Sequence, residues 1–203
     1  MQGSSGRVVK VILGLGNPGR EYALTRHNVG WWVLDHLASE WDFSAWKHDG
    51  DALVASGLVG SAKTRLVKPQ TYMNLSGAAL RPYLRRPSWE PASDLLVVVD
   101  DVALPLGRFR IRASGSSGGH NGLKSVESVL QSREYPRLRI GIEPIDERRR
   151  TGSLSDFVLG TFGVDERACI LERLPILTDA IGLVVREGIG AAMNAFNARD
   201  ESC

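Results

Sequence analysis

The sequence predicts an α/β protein: a single-domain three-layer α/β/α sandwich around a mixed, largely parallel central sheet. Short apolar runs that are typical of strands alternate along the chain with segments of helical periodicity. One run, residues 94–100 (DLLVVVD), is apolar between two acids, as expected for a strand covered on both faces. The chain has 203 residues, 43% of them hydrophobic, which suits one domain with a substantial core, although two small domains would also fit the length.

The first half of the chain starts with a strand and a helix. Residues 8–15 are rich in β-branched side chains and end in the turn GNPG, which predicts a strand, and apolar residues four apart from about Thr25 predict a helix. Residues 51–59 and 63–69 are two strand-like runs around a short turn, which predicts a hairpin. Residues 74–84 predict a short helix that is stopped by the prolines after it.

The second half continues the alternation after the strand at 94–100. In residues 107–113 arginine alternates with apolar residues, so one face of that strand is expected to be solvated. A glycine-serine loop at 113–122 leads into a helix at 123–131 with one apolar side. Residues 137–144 predict a further strand, and the whole order places helices on both faces of the sheet.

The end of the chain predicts one long helix. Asp165 is expected to cap it, and apolar residues repeat at spacings of four and three as far as Val184. Pro175 lies inside this pattern and is expected to kink or split the helix. Residues 1–6 lack the charged-then-apolar order of a secretory signal and are expected to be a disordered start, which leaves 7–198 as the folded domain.

The composition excludes several classes of protein. No apolar run approaches the roughly 20 residues that cross a bilayer, so no membrane partner is expected. Cys169 and Cys203 supply neither a disulfide framework nor a CxxC metal pair, which favours a reducing, cytoplasmic location. The formal net charge is only +2 and neither supports nor excludes nucleic acid. Residues 107–150 contain ten basic residues against five acids, which favours a polyanionic partner there.

Several polar residues follow the ends of predicted strands or lie in the loops beside them. In open α/β sheets, ligands bind beyond the carboxyl ends of the strands. We therefore expect one cleft to be formed by residues that share this placement: Asn17, Asn74, Asp100, His120 and Asn121.

His27 is the candidate general base of that cleft. It lies at the mouth of a helix shortly after a glycine-rich turn, and imidazole titrates near neutral pH. Asp100 can accept its other N–H and stabilise the imidazolium, and since no serine or cysteine stands out as a nucleophile, the base is expected to activate water. In the structural alternative, His27 caps a helix and Asp100 caps a turn. The neighbouring Asp101 leaves open which carboxylate faces the cleft.

The loop GGHNG, residues 118–122, has two interpretations. Its backbone amides can bind a phosphate or an acyl oxygen at the start of a helix, or it can be a tight turn and no more. It lacks the spacing of a P-loop, and GLGNPG lacks that of the dinucleotide fingerprint, which counts against a nucleotide-binding or oxidoreductase domain. By default, Asn74 and Ser76 would cap a helix, and Tyr72 and Met73 would belong to the core.

Five sequence blocks, in order between about residues 8 and 160, resemble the signature of bacterial-type peptidyl-tRNA hydrolases: GLGNPGREYALTRHNVG, KPQTYMNLSG, DDVALPLG, GGHNGLKS and RLRIGI. The resemblance implies an esterase that cleaves the bond between a peptide and the 3′-terminal ribose of tRNA, and so recycles tRNA lost from stalled ribosomes. It also implies a monomer without metal or cofactor. The implied partner is peptidyl-tRNA, bound through its acceptor stem and 3′ end.

The resemblance assigns roles by motif position. His27 resembles the catalytic base, Asp100 its carboxylate partner, and Asn17 a residue placed against the ester and His27. The residues at substrate-binding positions are Tyr22, Tyr72, Met73, Asn74, His120 and Asn121. The asparagines among them resemble the amides that hold the peptide backbone and the tRNA 3′ end. The residues at positions where the family has basic side chains facing the tRNA acceptor stem are Arg110, Arg112 and Arg139.

The chain departs from the family pattern close to Asp100. The usual His-Asp-Glu reads Val99-Asp100-Asp101, and the acid usual three places after the catalytic Asp is Ala103. The loop before GGHNG is also enriched in serine. The main rival interpretation is a catalytically inactive relative that keeps the fold and acts as an RNA-splicing partner. Because the histidine, the aspartate and the three asparagines are all present, the sequence favours the enzyme.

Overall fold

In the part of the chain that the structure describes, seven strands form one central sheet. The computed structural model describes residues 10–144 and 152–198. Residues 1–6, which were expected to be disordered, and the basic residues 148–150 lie outside the described residues. The strands are β1 (Lys10–Gly14), β2 (Lys47–Asp49), β3 (Ala52–Val59), β4 (Ala62–Pro69), β5 (Leu95–Pro105), β6 (Phe109–Arg112) and β7 (Arg137–Glu143). Their order across the sheet is β2-β3-β4-β1-β5-β7-β6.

The sheet is mixed, with a parallel centre. β4, β1, β5 and β7 run parallel to one another, whereas β2, β3 and β6 are antiparallel to their neighbours. β3 and β4 form the predicted hairpin. The prediction of a mixed, largely parallel sheet is therefore confirmed.

Helices cover both faces of this sheet. They are α1 (Val29–Glu40), α2 (Arg81–Leu84), α3 (Pro91–Asp94), α4 (Asn121–Leu130), α5 (Leu154–Leu159), α6 (Val164–Glu187) and α7 (Ile189–Phe196), with 3-10 helices at Arg26–Asn28 and Met73–Leu80. On one face α1, α6 and α7 pack against the sheet, and on the other α2, α4 and the 3-10 helix Met73–Leu80 do so. The three-layer arrangement is confirmed. Within the described ranges, no helix has both the length and the apolar character needed to cross a membrane.

Alternate residues of the central strands pack into two separate cores. In β5, Leu96 and Val98 belong to the core beneath α1 and α6, whereas Val97 and Val99 belong to the core beneath α4. Because both faces of β5 are covered, apolar residues occupy consecutive positions instead of every second one. This is the pattern from which the sequence predicts a central strand.

The start of the last long helix differs from its prediction. Gly163 precedes α6, and its backbone N–H donates to the Glu166 carboxylate at 2.8 Å. The expectation that Asp165 caps the helix is therefore wrong. Glu166 reaches back from the third helical position and satisfies the free N–H instead, as in a capping box.

Pro175 does not split α6, which continues unbroken to Glu187. Pro175 itself is exposed, while Leu174 and Leu177 beside it are buried. Packing of these leucines on the sheet therefore compensates for the backbone hydrogen bond that proline removes.

Cys169, also on α6, takes part in a disulfide, contrary to the expectation drawn from the cysteine count.

Some helices and strands were not predicted from the sequence, and one predicted helix is of another type. Residues 74–84, predicted as one helix, form the 3-10 helix Met73–Leu80 followed by α2. Over so short a stretch the two helix types give similar apolar patterns, since side chains three apart share a face in both. β2, α3, α5 and α7 were not predicted, because each is too short to show a clear period.

The end of α7 covers the open side of β6, which is an edge strand of the sheet. The Asn197 side chain accepts a hydrogen bond from the Ile111 N–H and donates one to the Ile111 carbonyl, both at 2.9 Å. Nη1 of Arg110 donates to the Asn197 carbonyl at 2.9 Å. Asn197 therefore satisfies backbone groups of β6 that a further strand would otherwise satisfy.

Candidate active site

A cleft of about 500 Å³ opens where β1 and β4 end and beside β5 and β7. Most residues that the sequence assigned to the site line this cleft: Asn17, Tyr22, His27, Tyr72, Met73, Asn74, Asp100, His120, Asn121 and Arg139. Arg110 and Arg112 do not line it. Residues far apart in the chain are thus brought together beyond the carboxyl ends of the parallel strands, where α/β folds bind ligands.

The turn before α1 places His27 at the cleft. Its neighbours Arg26 and Asn28 are buried in the 3-10 helix, so His27 between them is turned the other way. Nδ1 of His27 lies 2.9 Å from Oδ1 of Asp100, which is the pairing expected from the sequence. Nε2 is therefore the ring nitrogen that remains for a ligand.

His120 is the second imidazole on Asp100. Its Nε2 lies 3.0 Å from the same Oδ1, and its ring lies 4.8 Å from the His27 ring, centroid to centroid. Its Nδ1 accepts hydrogen bonds from the N–H groups of Gly122 and Leu123 at the start of α4. A nitrogen that accepts carries no proton, so Nε2 is the nitrogen of His120 that donates to Asp100.

Asp100 is buried and ionised. Burial alone would raise the pKa of its carboxyl, but the interactions with His120 and then with His27 hold that pKa well below its usual value. The carboxylate therefore persists at neutral pH. It can orient His27 and stabilise the imidazolium when His27 takes up a proton.

Asn17, in the turn after β1, is held by its neighbours on both sides. Its N–H donates to Oδ1 of Asn28, and its carbonyl accepts from Nδ2 of Asn28, both at 2.9 Å. Its own Oδ1 accepts from the Met73 N–H at 2.7 Å. No acceptor in the described part of the chain binds its Nδ2, so the amide group can donate into the cleft.

Asn74 and Asn121 are exposed at the cleft. The 3-10 helix that begins at Met73 has no side-chain cap, and α4 is capped by His120. Helix capping, the default interpretation of Asn74, is therefore wrong. Oδ1 of Asn121 makes one long contact, 3.5 Å from Nζ of Lys124, so both amides remain available to a ligand.

Aromatic side chains form the rim of the cleft. Tyr22 and Tyr72 pack edge to face, with ring centroids 6.4 Å apart. Tyr72 is 59% exposed, so it does not belong to the core, whereas Met73 does. A Cβ on Gly122 would lie 2.6 Å from Sδ of Met73, so any other residue there would require the Met73 side chain to shift.

The three arginines predicted to face tRNA have different environments. Arg139 lines the cleft, with Nε 3.0 Å from Oδ2 of Asp101. Asp101 thus pairs with an arginine while Asp100 pairs with the imidazoles, which answers the question of the two neighbouring carboxylates. Arg112 is exposed on β6, and Arg110 is half-buried against the end of α7.

Among the described residues, His27, Asp100 and His120 are also the group whose ligand atoms, all within 4.8 Å of one another, could hold a metal ion. However, both imidazoles meet one carboxylate oxygen at the hydrogen-bond distances of 2.9 and 3.0 Å. An ion such as Zn²⁺, with ligands at about 2.0–2.2 Å, would have to replace both hydrogen bonds. The donor set fits an oriented base better than a metal centre.

Comparison with known proteins gives a family for this site. The family model described as peptidyl-tRNA hydrolase matches residues 11–202. The chain belongs to the peptidyl-tRNA hydrolase family. The resemblance carried by the five sequence blocks is thereby confirmed.

Individual members of the peptidyl-tRNA hydrolase family are similar over nearly the whole chain. The peptidyl-tRNA hydrolase of Gemmatimonas aurantiaca is 59% identical over 188 residues, covering 93% of this chain and 99% of that protein. That of Brevibacillus brevis is 43% identical, covering 94% and 98%. The crystal structure of peptidyl-tRNA hydrolase from Acinetobacter baumannii is 33% identical with a TM-score of 0.82, covering 94% of this chain and 95% of that one.

One wall of the cleft in this peptidyl-tRNA hydrolase family member was missed by sequence reasoning. It is formed by α5, which contributes Leu154, Ser155, Val158 and Leu159. A signal for α5 was present, because Ser153 and Asp156 form a capping box at its start. A helix of six residues is too short to add a clear apolar period to that signal.

Proposed function

We propose that this protein hydrolyses the ester bond between a peptide, or another N-blocked aminoacyl group, and the 3′-terminal ribose of tRNA, releasing tRNA for reuse. The observation that carries this proposal is the His27–Asp100 hydrogen bond in the cleft of a chain from the peptidyl-tRNA hydrolase family. The side chains of the cleft can supply the base, the orienting carboxylate and the polar groups that ester hydrolysis requires.

In the proposed mechanism, His27 activates water. Nε2 takes a proton from water as the water oxygen attacks the ester carbonyl carbon, and Asp100 stabilises the resulting imidazolium through Nδ1–H. When the tetrahedral intermediate collapses, the bond to the ribose oxygen breaks and the imidazolium returns the proton to that oxygen. The products are a free carboxylic acid and a tRNA with an intact 3′-terminal ribose.

Water, not a side chain, is the proposed nucleophile. Ser117 and Ser155 line the cleft, but neither hydrogen-bonds to His27 in the described structure. A serine nucleophile would have to lie within hydrogen-bond reach of its base. Direct attack by water therefore fits the geometry better than an acyl-enzyme.

The asparagines are proposed to position the substrate. Asn17 is fixed by Asn28 and Met73 and can donate from Nδ2, so it suits a place against the ester. Asn74 and Asn121 present amides that can bind the peptide backbone and the tRNA 3′ end. Such positioning accelerates hydrolysis by holding the ester near the activated water.

The tRNA acceptor stem is proposed to bind beside the cleft, over β6 and β7. Arg139 stands in the cleft and Arg112 is exposed on the neighbouring strand, so the two can contact successive phosphates. We infer a monomer whose single domain spans residues 7–198 and which acts in the cytoplasm, where translation supplies its substrate.

Single-turnover hydrolysis of an N-acylated aminoacyl-tRNA tests this function. His27→Ala and Asp100→Asn are each expected to slow turnover by about 10²- to 10⁴-fold, because they remove the base or its orienting carboxylate. Binding of tRNA is expected to stay near the wild-type level, since neither residue contacts phosphates in the proposed complex. Treatment with EDTA is expected to leave turnover unchanged.

His48→Ala is the matched control, because His48 lies exposed on β2 and does not line the cleft. This variant is expected to keep wild-type turnover. If His27→Ala also keeps it, His27 is not the base. If the wild-type protein binds tRNA but hydrolyses no acylated form, the interpretation as an inactive RNA-binding relative is correct instead.

A further inference from the structure

Arg26, the residue before His27, points away from the cleft into a buried ion pair. Its Nη2 lies 2.8 Å from Oε2 of Glu166 on α6, and both side chains are nearly buried. The guanidinium lies over the rings of Phe157 and Phe162, 4.5 and 5.5 Å from their centroids. One arginine thus connects the turn that carries His27 with α5 and α6.

This ion pair is poorly suited to stabilising the fold. Nε of Arg26 and Oε1 of Glu166 are both buried without a hydrogen-bond partner among the described residues. A buried pair that leaves such atoms unsatisfied is often no more stable than apolar residues of similar size. Stabilisation of the fold therefore does not explain why this ion pair is present.

Arg26 also contacts α5 and the residue that follows it. Nη1 of Arg26 lies 3.4 Å from the Phe157 carbonyl, and the Arg26 N–H donates to the Gly160 carbonyl at 3.0 Å. Thr25 and Thr161 add a bridge between the same two segments. Phe157 is the buried side of α5, and the opposite side of this helix lines the cleft.

We propose that Arg26 and Glu166 are positioning residues that set the acyl specificity of the cleft, by fixing the apolar wall of α5 at a set distance from His27. This inference rests on the proposed function. The cleft side of α5 presents Leu154, Val158 and Leu159, which can bind an apolar side chain of the acyl group beside the ester.

The specificity is measured with two substrates that differ in one side chain. N-acetylphenylalanyl-tRNA can reach the α5 wall, whereas N-acetylglycyl-tRNA has no side chain to place there. We expect the wild-type protein to favour the phenylalanyl substrate in kcat/KM by about 10- to 200-fold, the range that small differences in apolar contact produce.

Glu166→Gln keeps the shape of the side chain and removes the charge opposite Arg26. The α5 wall is then expected to lose its fixed position, while His27 stays on Asp100. We expect kcat/KM for the phenylalanyl substrate to fall by about tenfold, mainly through KM. The value for the glycyl substrate is expected to change less than about twofold.

Asp94→Asn is a closely matched control. Like Glu166, Asp94 is 5% exposed, pairs with a cation at 2.8 Å and accepts a backbone N–H at the start of a helix. Its pair with Lys10 lies where β1 and β5 begin, at the end of the strands opposite the cleft. Asp94→Asn is expected to lower the melting temperature as Glu166→Gln does, and to leave the ratio between the two substrates unchanged.

Val158→Ala tests whether the ion pair acts through the α5 wall. This substitution trims the wall itself and is expected to reduce the preference for the phenylalanyl substrate. In the double variant Val158→Ala/Glu166→Gln, the loss of preference is expected to be smaller than the product of the two single losses, because both changes act on the same wall and are not additive.

The outcomes separate this proposal from the proposed function. Additive effects in the double variant, equal losses on both substrates, or a wild-type protein without preference would each overturn the proposed role of the ion pair. A wild-type protein that hydrolyses neither substrate contradicts the proposed function instead. If Glu166→Gln does not fold, Arg26→Lys is measured in its place with the same expectation, since lysine keeps the charge but cannot contact Glu166 and the Phe157 carbonyl together.

Discussion

One oxygen of Asp100 is contacted by two histidines, which differ in what their other ring nitrogen contacts. Nδ1 of His120 caps α4, and its Nε2–H donates to Asp100. Among the described residues, Nε2 of His27 has no such partner, so His27 is the imidazole proposed to take a proton from water. At the residue scale the proposed base is thus paired with a carboxylate that a second histidine also contacts.

Acid stability is expected to depend on Asp100. Because its pKa in the folded protein lies below the usual value of about 3.9, the unfolded chain takes up the proton first as the pH falls. The stabilisation is complete at neutral pH and is lost as the pH falls below about 4. We expect the free energy of unfolding, from urea denaturation near pH 6 and near pH 3, to fall more for wild type than for Asp100→Asn. Equal falls would show that Asp100 does not carry this dependence.

Sequence reasoning found the His27–Asp100 pair but not the full role of His120. The pair follows from residue chemistry and from the predicted end of a strand at Asp100, although β5 continues to Pro105. The tautomer of His120 depends on where the backbone N–H groups of Gly122 and Leu123 point, and no side-chain pattern shows that. The sequence likewise does not show which of Asp100 and Asp101 faces the cleft, because the geometry of the strand sets the direction of each side chain.

At the scale of elements, the 3-10 helix Met73–Leu80 depends on one glycine. A Cβ on Gly77 would lie 2.3 Å from the Ser125 carbonyl oxygen on α4. Gly77→Ala is therefore expected to push Asn74 out of position and to lower the free energy of unfolding by about 1–3 kcal/mol. Thermal denaturation and single-turnover hydrolysis measure both effects.

Gly190→Ala is the control for this prediction, because a Cβ on Gly190 would meet nothing within 4 Å. In α7 the change is expected to be neutral or stabilising by up to about 1 kcal/mol, since alanine is the better helix former. If the two variants have the same stability, the close contact between Gly77 and α4 is not essential.

Long segments with a periodic or alternating apolar pattern were predicted well. Short elements, and elements that depend on contacts with distant residues, were not. β5 and α4 were recognised because each carries a clear apolar pattern. α5 depends on contacts with the turn before α1, which lie more than a hundred residues away in the chain. The continuity of α6 through Pro175 likewise depends on buried leucines packing against the sheet.

At the scale of the molecule, the two edges of the sheet differ in their expected contact with tRNA. β6 carries the exposed Arg112 beside the cleft strand β7, whereas β2 lies at the opposite edge. Arg112→Glu is expected to weaken binding of acylated tRNA and to flatten its salt dependence, whose logarithmic slope is roughly −0.7 to −0.9 per neutralised phosphate. An acyl-nucleoside without an acceptor stem is expected to be hydrolysed as by wild type.

Lys47→Glu on β2 is the control, since Lys47 is also exposed but lies at the far edge. It is expected to leave both substrates and the salt dependence unchanged. Arg110 is a poorer choice for this test, because its guanidinium also holds the Asn197 carbonyl. Equal losses for Arg112→Glu and Lys47→Glu would show that net charge, and not a tRNA-binding edge, determines affinity.

The hydrogen bonds between Asn197 and Ile111 have a consequence for solubility. An edge strand with free N–H and carbonyl groups is a template on which another chain can add a strand and begin to aggregate. Here one amide side chain occupies that template at the middle of β6. The strand proposed to meet RNA is thus protected from pairing with copies of itself, and Arg112 on that strand remains exposed.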